Sequence, residues 1–240
     1  MRLGVVHTAL LGMGLALAGP TSAQAMDAGR IDALVDQARN SGCVLPDAGA
    51  ALEGAGVIQP DAREDILNAL VNAQKADRFG PAVVLDSAVC HDGPAPSRRD
   101  RFLAVMGQGG SCVQRVDGLK ARAVRYALTS RDVDLMRAEM MRHDEISLSA
   151  DGTSLEVAPA LCDQAKSLAE TVVPDARAAF VAFMAANDCR IGTRDLPGAI
   201  ADAGLEPAAT DVVIEALVSD GDAIYYGFEQ TLILQWERCA

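Results

Sequence analysis

The chain has 240 residues and a formal net charge of −12, from 21 Lys and Arg against 33 Asp and Glu. Because an acidic chain repels the phosphate backbone, this composition disfavours broad nucleic-acid binding. Half of the residues are hydrophobic but only 4% are aromatic. Any hydrophobic core is therefore expected to be built from Ala, Val, Leu, Ile and Met.

The first 25 residues have the pattern of a signal peptide. Arg2 precedes an apolar stretch from Gly4 to Gly19, and Ala23-Gln24-Ala25 is a small-x-small cleavage site. We therefore expect residues 1–25 to be removed after Ala25 and the mature protein to be soluble, in the periplasm or secreted. No later segment approaches the ~20 apolar residues of a membrane span, so none is expected.

Six cysteines alternate between long and short spacings. They are Cys43, Cys90, Cys112, Cys162, Cys189 and Cys239. The long separations are 47, 50 and 50 residues and the short ones 22 and 27, which indicates an internal repeat. Six cysteines allow 15 pairings, and the repeat predicts Cys43–Cys90, Cys112–Cys162 and Cys189–Cys239. Redox or metal-binding cysteines are the alternative, but the chain contains no C-x-x-C.

Aligning the three copies on their cysteines brings apolar residues to the same positions. Nine residues before the first cysteine stand Leu34, Leu103 and Phe180; seven and five residues before the second stand Val83, Leu155 and Leu232, then Leu85, Val157 and Leu234. Two apolar positions offset by two predict one buried face of a strand. The repeat divides the mature chain into module 1 (26–92), module 2 (93–164) and module 3 (165–240).

Each copy is predicted to contain three helices. The first precedes the first cysteine, the second spans roughly 46–55, 116–128 and 194–203 in the three copies, and the third follows. Gly56 and Gly204 stand where a helix needs a left-handed C-terminal residue. Pro60 and Pro207 stand where the third helix begins. The middle copy lacks both features, and Ser130 is its expected N-cap.

A hairpin is expected to close each copy, and its clearest turn is Asp151-Gly152. Three helices followed by a two-stranded hairpin resemble the winged-helix topology. The predicted fold is therefore mainly α with small β-hairpins (α+β), as three tandem disulfide-stapled winged-helix-like modules. A cross-link that closes a loop of ~50 residues contributes roughly 4 kcal/mol to so small a module.

The winged-helix resemblance implies that the third helix would enter a DNA groove. In copies one and three that helix is acidic, over Asp61–Asp65 and Thr210–Glu215. The acidic helices and the expected export both argue against nucleic acid as a partner.

The middle copy differs in charge, with ten basic and nine acidic residues over 97–162. An acidic protein partner is therefore expected to bind module 2. The candidate interaction face comprises Arg115, Lys120, Arg122, Arg125, Arg131, Arg137 and Arg142. The alternative is an ordinary solvated surface, because acidic residues interleave with the basic ones.

Catalytic motifs are sparse. His91 and His143 are isolated, which does not suit a zinc site or a catalytic triad. The glycine-rich segment Gly107–Gly110 follows a helix, not a strand, so it is no phosphate-binding loop. No catalytic residue, metal or cofactor is predicted. We expect a non-enzymatic protein-protein interaction or scaffold module in the periplasm; the alternative is a small-ligand-binding protein or hydrolase with a site between modules.

Overall fold

The computed structural model describes residues 22–228 and 230–235. Their helices and strands form three consecutive groups, each with the order helix, strand, helix, helix, strand, strand. The first group comprises α1 (Ser22–Asn40), β1 (Val44–Leu45), α2 (Ala48–Gly54), α3 (Pro60–Asn72), β2 (Ala76–Phe79) and β3 (Ala82–Leu85), followed by the short α4 (Ser87–Cys90). Most of the expected signal peptide, residues 1–21, lies outside the described part of the chain.

The second and third groups repeat this order. The second comprises α5 (Arg98–Gly107), a 3₁₀ turn (Gln108–Gly110), β4 (Val113–Arg115), α6 (Leu119–Val124), α7 (Ser130–Arg142), β5 (Ile146–Leu148), β6 (Ser154–Val157) and α8 (Pro159–Thr171). The third comprises α9 (Ala176–Ala186), β7 (Arg190–Gly192), α10 (Leu196–Asp202), α11 (Pro207–Ser219), β8 (Ala223–Tyr226) and β9 (Thr231–Leu234). The fold is thus mixed α and β, with more helix than strand.

Each group contains a three-stranded antiparallel sheet, not the two-stranded hairpin expected from the sequence. The hairpin is present, but its last strand also pairs with a short strand after the first helix, so the orders are β1-β3-β2, β4-β6-β5 and β7-β9-β8. The additional strands have two or three residues. A segment this short cannot show the alternation of apolar and polar residues by which strands are identified.

The nine apolar positions that match between the copies are all buried, none more than 7% exposed. They belong to three clusters of buried apolar side chains, one centred in each group. In the last strand of each hairpin, the two matching positions point into the group's own helices. The predicted strand face is therefore confirmed.

Two of the three predicted disulfides are confirmed. Cys43 is bonded to Cys90 and Cys112 to Cys162, with Cα separations of 5.5 and 5.6 Å. The predicted pair Cys189–Cys239 lies outside the described residues because Cys239 does. The second cysteine of each confirmed pair lies in a helix after the hairpin, α4 or α8, rather than at the end of the last strand.

The expected glycine and proline positions at helix ends are confirmed. Gly56 and Gly204 have left-handed backbones, with φ of +87° and +67°. Pro60 and Pro207 are the first residues of α3 and α11. In the second group the equivalent left-handed position is occupied by Ala127, with φ of +55°.

The expected N-cap at Ser130 is wrong by one residue. Thr129 caps α7, because its Oγ1 accepts a hydrogen bond from the backbone N–H of Asp132 at 3.1 Å. Asp132 Oδ2 in turn accepts from the backbone N–H of Thr129 at 3.0 Å. This reciprocal capping box fixes the start of the helix, and Ser130 is its first helical residue.

The groups pack against one another. The face of the first sheet turned away from its own helices, carrying Val44, Ala82 and Val84, joins the apolar cluster of α11 in the third group. A backbone hydrogen bond of 2.9 Å from the N–H of Ala176 to the carbonyl of Gly42 connects the same two groups. In the described part of the chain, no helix is long and apolar enough to cross a membrane.

Candidate functional site

The hairpin of the third group exposes aromatic side chains. Tyr225 and Tyr226 are 53% and 51% exposed, and Phe228 in the connecting loop is fully exposed. The other described aromatic residues are buried or half-buried; they are Phe79, Phe102, Tyr126, Phe180 and Phe183. In a chain with so few aromatic residues, this concentration on one surface hairpin makes it a candidate contact surface.

Strand register assigns these side chains to two faces of the sheet. Ala223 and Tyr225 pair with Leu234 and Leu232, which lie in the core of the group. Ile224 pairs with Ile233, and Tyr226 with Thr231, on the opposite face. We call this opposite face, with Ile224, Tyr226, Thr231 and Ile233, the outer face of the third sheet. Ile224 is 45% exposed there, beside a hollow of about 350 Å³.

The equivalent faces of the other two sheets have different surroundings. In the first sheet the face is apolar and is buried against α11. In the second sheet the face carries Glu156 paired with Ser147, and both are exposed to solvent. The third sheet combines the apolar character of the first with the exposure of the second. No described residue covers Ile224 or Tyr226 as α11 covers the first sheet.

The exposed edge of the third sheet also lacks charge. Strand β8 consists of Ala223, Ile224, Tyr225 and Tyr226, whereas the corresponding β2 contains Asp77 and Arg78. Charged side chains on edge strands discourage association with other chains, and β8 has none. Burial, together with the negative charge of Asp211, raises the pKa of Tyr225.

A second feature is a cleft of about 1080 Å³ between the second and third groups, to which Ser87 of the first group also contributes. Its floor and walls come from α5, the start of α7, and α9. Arg98, Arg101 and Arg131 line one part, while Leu135 and Val181 contribute apolar surface. We call this space the arginine cleft. It combines cationic and apolar walls in a chain of negative net charge.

Arg101 is the most enclosed of these cations. Its Nη1 donates to the backbone carbonyls of Ala127 at 2.8 Å and Tyr126 at 3.4 Å. Its Nε is shielded from solvent and has no acceptor among the described residues. Burial lowers the pKa of Arg101, against the opposing effect of the nearby carboxylates Asp132 and Asp175.

Three residues of the predicted basic face lie close together along the chain: Arg115 ends β4, and Lys120 and Arg122 lie in α6. Arg122 donates from Nη2 to the carbonyl of Arg115 at 2.7 Å and from Nη1 to the carbonyl of Asp117 at 3.2 Å. Arg115 also approaches Asp117, at 3.7 Å. Lys120 forms an ion pair with Asp134 at 2.6 Å. Arg115 and Arg122 are thus brought together, but largely by contacts within their own turn.

The other four residues of that set are distributed over different surfaces. Arg125 lies in a groove between groups, beside Gly204 of the third group. Arg131 lines the arginine cleft. Arg137 is half-buried and Arg142 is exposed on α7.

The two isolated histidines have different settings. His91 Nε2 lies 3.7 Å from Asp175 Oδ2, and the sulfur of Cys90 is nearby. That sulfur is bonded to Cys43, so this group offers no thiolate to a metal. His143 is exposed and caps the C-terminal end of α7.

Sequence reasoning missed both the aromatic hairpin and the arginine cleft. For the hairpin a signal existed, since Tyr225, Tyr226, Phe228 and Trp236 are four of the nine aromatic residues of the chain. For the cleft there was none, because its walls come from segments far apart in sequence.

Comparison with family models, curated proteins and solved structures gives no match to this chain. Its function is therefore inferred from its own surfaces.

Proposed function

We propose that this protein is an exported, non-enzymatic interaction module that binds a helix of another protein on the outer face of its third sheet. The three groups serve as tandem winged-helix-like modules that hold this face in position. The observation that carries the proposal is the exposed apolar pair Ile224 and Tyr226 on a sheet face with no cover among the described residues.

The first sheet supports a helix as the occupant. Its equivalent face carries Val44, Ala82 and Val84, and α11 packs across it. Most of the α11 residues in this cluster are small or β-branched, among them Ala209, Val212 and Ala216. A small sheet with two apolar faces needs a layer on each face. The third sheet has its own helices on one face, and a partner helix of the same character suits the other.

Charge favours a partner with basic flanks over a second copy of this chain. Asp188 and Arg190, which together carry no net charge, line the hollow beside Ile224, whereas the negative charge of Asp211 acts on Tyr225 and raises its pKa. The chain as a whole carries a charge of −12, so two copies repel each other. We therefore propose an Ala- and Val-faced helix with Lys or Arg at its margins.

The positions of the third helices support a role other than DNA binding. In the third group α11 has seven buried residues and lies beneath the first sheet, so it cannot enter a groove without separating the groups. In the first group Asp61, Glu64 and Asp65 are acidic, and Glu64 and Asp65 are exposed. Binding of an acidic partner to the basic residues of the second group stays a prediction. These residues lie on several surfaces and do not form one common face.

A synthetic helix tests the proposal directly. The peptide copies the Ala and Val face of α11 and has lysines at the remaining positions; its binding to the purified disulfide-bonded protein is followed by fluorescence anisotropy. We expect Ile224→Glu to weaken binding about tenfold or more, because a charge would be buried in the contact. Leu148→Glu is the control on another hairpin: Leu148 is 46% exposed and pairs with Leu155 in the second sheet, and its substitution should leave peptide binding unchanged.

Two results would overturn the proposal. One is peptide binding of equal strength to wild type, Ile224→Glu and Leu148→Glu. The other is a concentration-dependent dimer in sedimentation equilibrium that Ile224→Glu abolishes, which would assign the face to a second copy. Circular dichroism of each variant establishes that it is folded.

A further inference from the structure

The arginine cleft is separate from the outer face of the third sheet and has its own chemistry. All three groups contribute to it: Ser87 from the first, Arg101 and Thr129 from the second, and Val181 from the third. Its volume of about 1080 Å³ is slightly above the usual range for small-ligand sites, which is roughly 300–1000 Å³.

The acidic side chains in the cleft already have partners. Asp132 Oδ2 accepts from the N–H and the hydroxyl of Thr129, at 3.0 and 2.7 Å, and Oδ1 lies 3.3 Å from Arg98 Nε. Asp175 Oδ1 accepts from the N–H of Ala178 at 3.0 Å, which caps α9. These carboxylates hold the two helix starts in place.

The cations retain unused hydrogen-bonding capacity. Arg131 is exposed and forms no ion pair with the described residues. The buried Nε–H of Arg101 lacks an acceptor there. This N–H is closed off from the open cleft, so Arg101 contributes its positive charge to the cleft rather than a free donor. Arg98 shares Asp132 but is 63% exposed, so its guanidinium can also reach an anion.

The opposite wall is apolar and lined with small residues. Ala182, Ala185 and Val181 of α9 face the space, and Leu135 of α7, which is 49% exposed, completes the wall. Small side chains leave room for a chain or ring to lie along the helix. An inorganic anion would use only the arginine end and would leave this wall in contact with water.

We infer that the arginine cleft binds a small anionic amphiphile, with a carboxylate or phosphate head at Arg98, Arg101 and Arg131 and an apolar body along α9. A guanidinium pairs with both kinds of head through parallel N–H donors. The apolar body contributes binding through the area that it removes from water. The ligand thus contacts the second and third groups at once and stabilises their arrangement.

Isothermal titration calorimetry of the disulfide-bonded protein tests this with five probes: decanoate, decyl phosphate, decanol, decyltrimethylammonium and inorganic phosphate. We expect decanoate or decyl phosphate to bind, and which of the two binds more tightly identifies the head group. Decanol and the cationic amphiphile should bind at least about tenfold more weakly, because they do not pair with arginine. Inorganic phosphate should also bind more weakly, because it lacks the apolar body.

Variants in each wall localise the site. Arg131→Gln should weaken binding of the anionic amphiphile about fivefold, as expected for loss of one accessible ion pair. Arg142→Gln on the same helix is the control and should leave this affinity unchanged. Ala185→Phe fills the space along the apolar wall and should weaken binding of the anionic amphiphile more than Arg131→Gln does. Near-ultraviolet circular dichroism establishes whether the Ala185→Phe variant is folded. If it is not, Arg131→Gln still tests the site.

The inference is overturned by absence of binding for both anionic amphiphiles, by equal binding of decanol, by equal binding of inorganic phosphate, or by equal effects of Arg131→Gln and Arg142→Gln. None of these results bears on peptide binding to the third sheet, where Ile224→Glu is the diagnostic variant.

Discussion

Gly107, the last residue of α5, lies directly against the backbone carbonyl of Ala165 in α8. A Cβ atom at Gly107 would overlap that carbonyl group, so only glycine permits the two helix backbones to approach this closely. The Cys112–Cys162 disulfide joins the segments that follow and precede the contact. Together they fix α8 along α5 and make α8 part of the core of the second group.

We predict that Gly107→Ala destabilises the protein by about 3 kcal/mol, as expected when a side chain is forced into a packed contact. Gly54→Ala is the control. Gly54 is the last residue of α2, and a Cβ there meets no atom within 4 Å, so this substitution should cost nothing. Urea denaturation under non-reducing conditions measures the free energy of unfolding of both variants. Equal free energies for Gly107→Ala and Gly54→Ala would show that the close approach of the two helices is absent.

Ala127 adopts a backbone conformation that suits glycine. Its φ is +55°, and its N–H bonds to the carbonyl of Val124 as the N–H of Gly56 bonds to that of Glu53. A left-handed conformation costs a non-glycine residue about 1–2 kcal/mol. Against this, the backbone entropy lost on folding costs about 0.4–1 kcal/mol more at a glycine than at an alanine. Ala127→Gly should therefore stabilise the protein by about 0.5–1 kcal/mol.

Gly56→Ala should have the opposite effect, a loss of about 0.5–1 kcal/mol. Because a Cβ at Gly56 meets no neighbour, this variant reports backbone conformation alone. Urea denaturation measures the free energy of unfolding of Ala127→Gly and Gly56→Ala. Changes of the same sign in the two variants would show that the left-handed backbone conformation is not the cause.

The disulfide of the second group should carry a large share of its stability. The double variant Cys112→Ala/Cys162→Ala opens a loop of 50 residues, and the chain-entropy model gives a loss of about 4 kcal/mol. Urea denaturation of the double variant and of the parent protein measures the difference. A loss of unfolding free energy well below about 1 kcal/mol would mean that the packing of α5 against α8 maintains the second group without the cross-link.

The turn between β5 and β6 should make stability depend on pH in the acid range. Hydrogen bonds from the Ser149 hydroxyl, and then from the backbone and side chain of Thr153, lower the pKa of Asp151 from 3.8 to about 2. Because the pKa is lower in the folded protein, the stabilisation is complete above about pH 4 and is lost as the pH falls toward 2.

Titration of the Asp151 carboxyl group by nuclear magnetic resonance tests this. Ser149→Ala removes the strongest of these hydrogen bonds and should move the pKa of Asp151 back toward 3.8. An unchanged value in Ser149→Ala would contradict the assignment of the cause.

Much of the fold could be predicted because its signals are local or periodic. Cysteine spacing predicted both described disulfides, and apolar positions two residues apart, such as Val83 and Leu85, predicted the buried strand face. Gly56 and Pro60 marked helix ends because backbone sterics allow few residues there. Strand β1, with two residues, carries no such periodicity, and the length of α8 depends on its packing against α5.

The functional surfaces were harder to predict because they depend on tertiary packing. The first and third sheets both carry apolar residues on both faces, and the sequence does not show that α11 covers Val84 but leaves Ile224 open. The basic residues of the second group were visible, but only the fold separates Arg131, in the cleft, from Arg122, which binds its own turn.

The proposed function requires that the outer face of the third sheet binds a helix. The most direct measurement is nuclear magnetic resonance mapping of the isotope-labelled protein during titration with the Ala- and Val-faced helical peptide. We expect shift changes concentrated at Ile224, Tyr226 and Ile233, with Ser147 and Glu156 of the second sheet unaffected. Absence of shift changes at those residues, or changes centred on another surface, would contradict it.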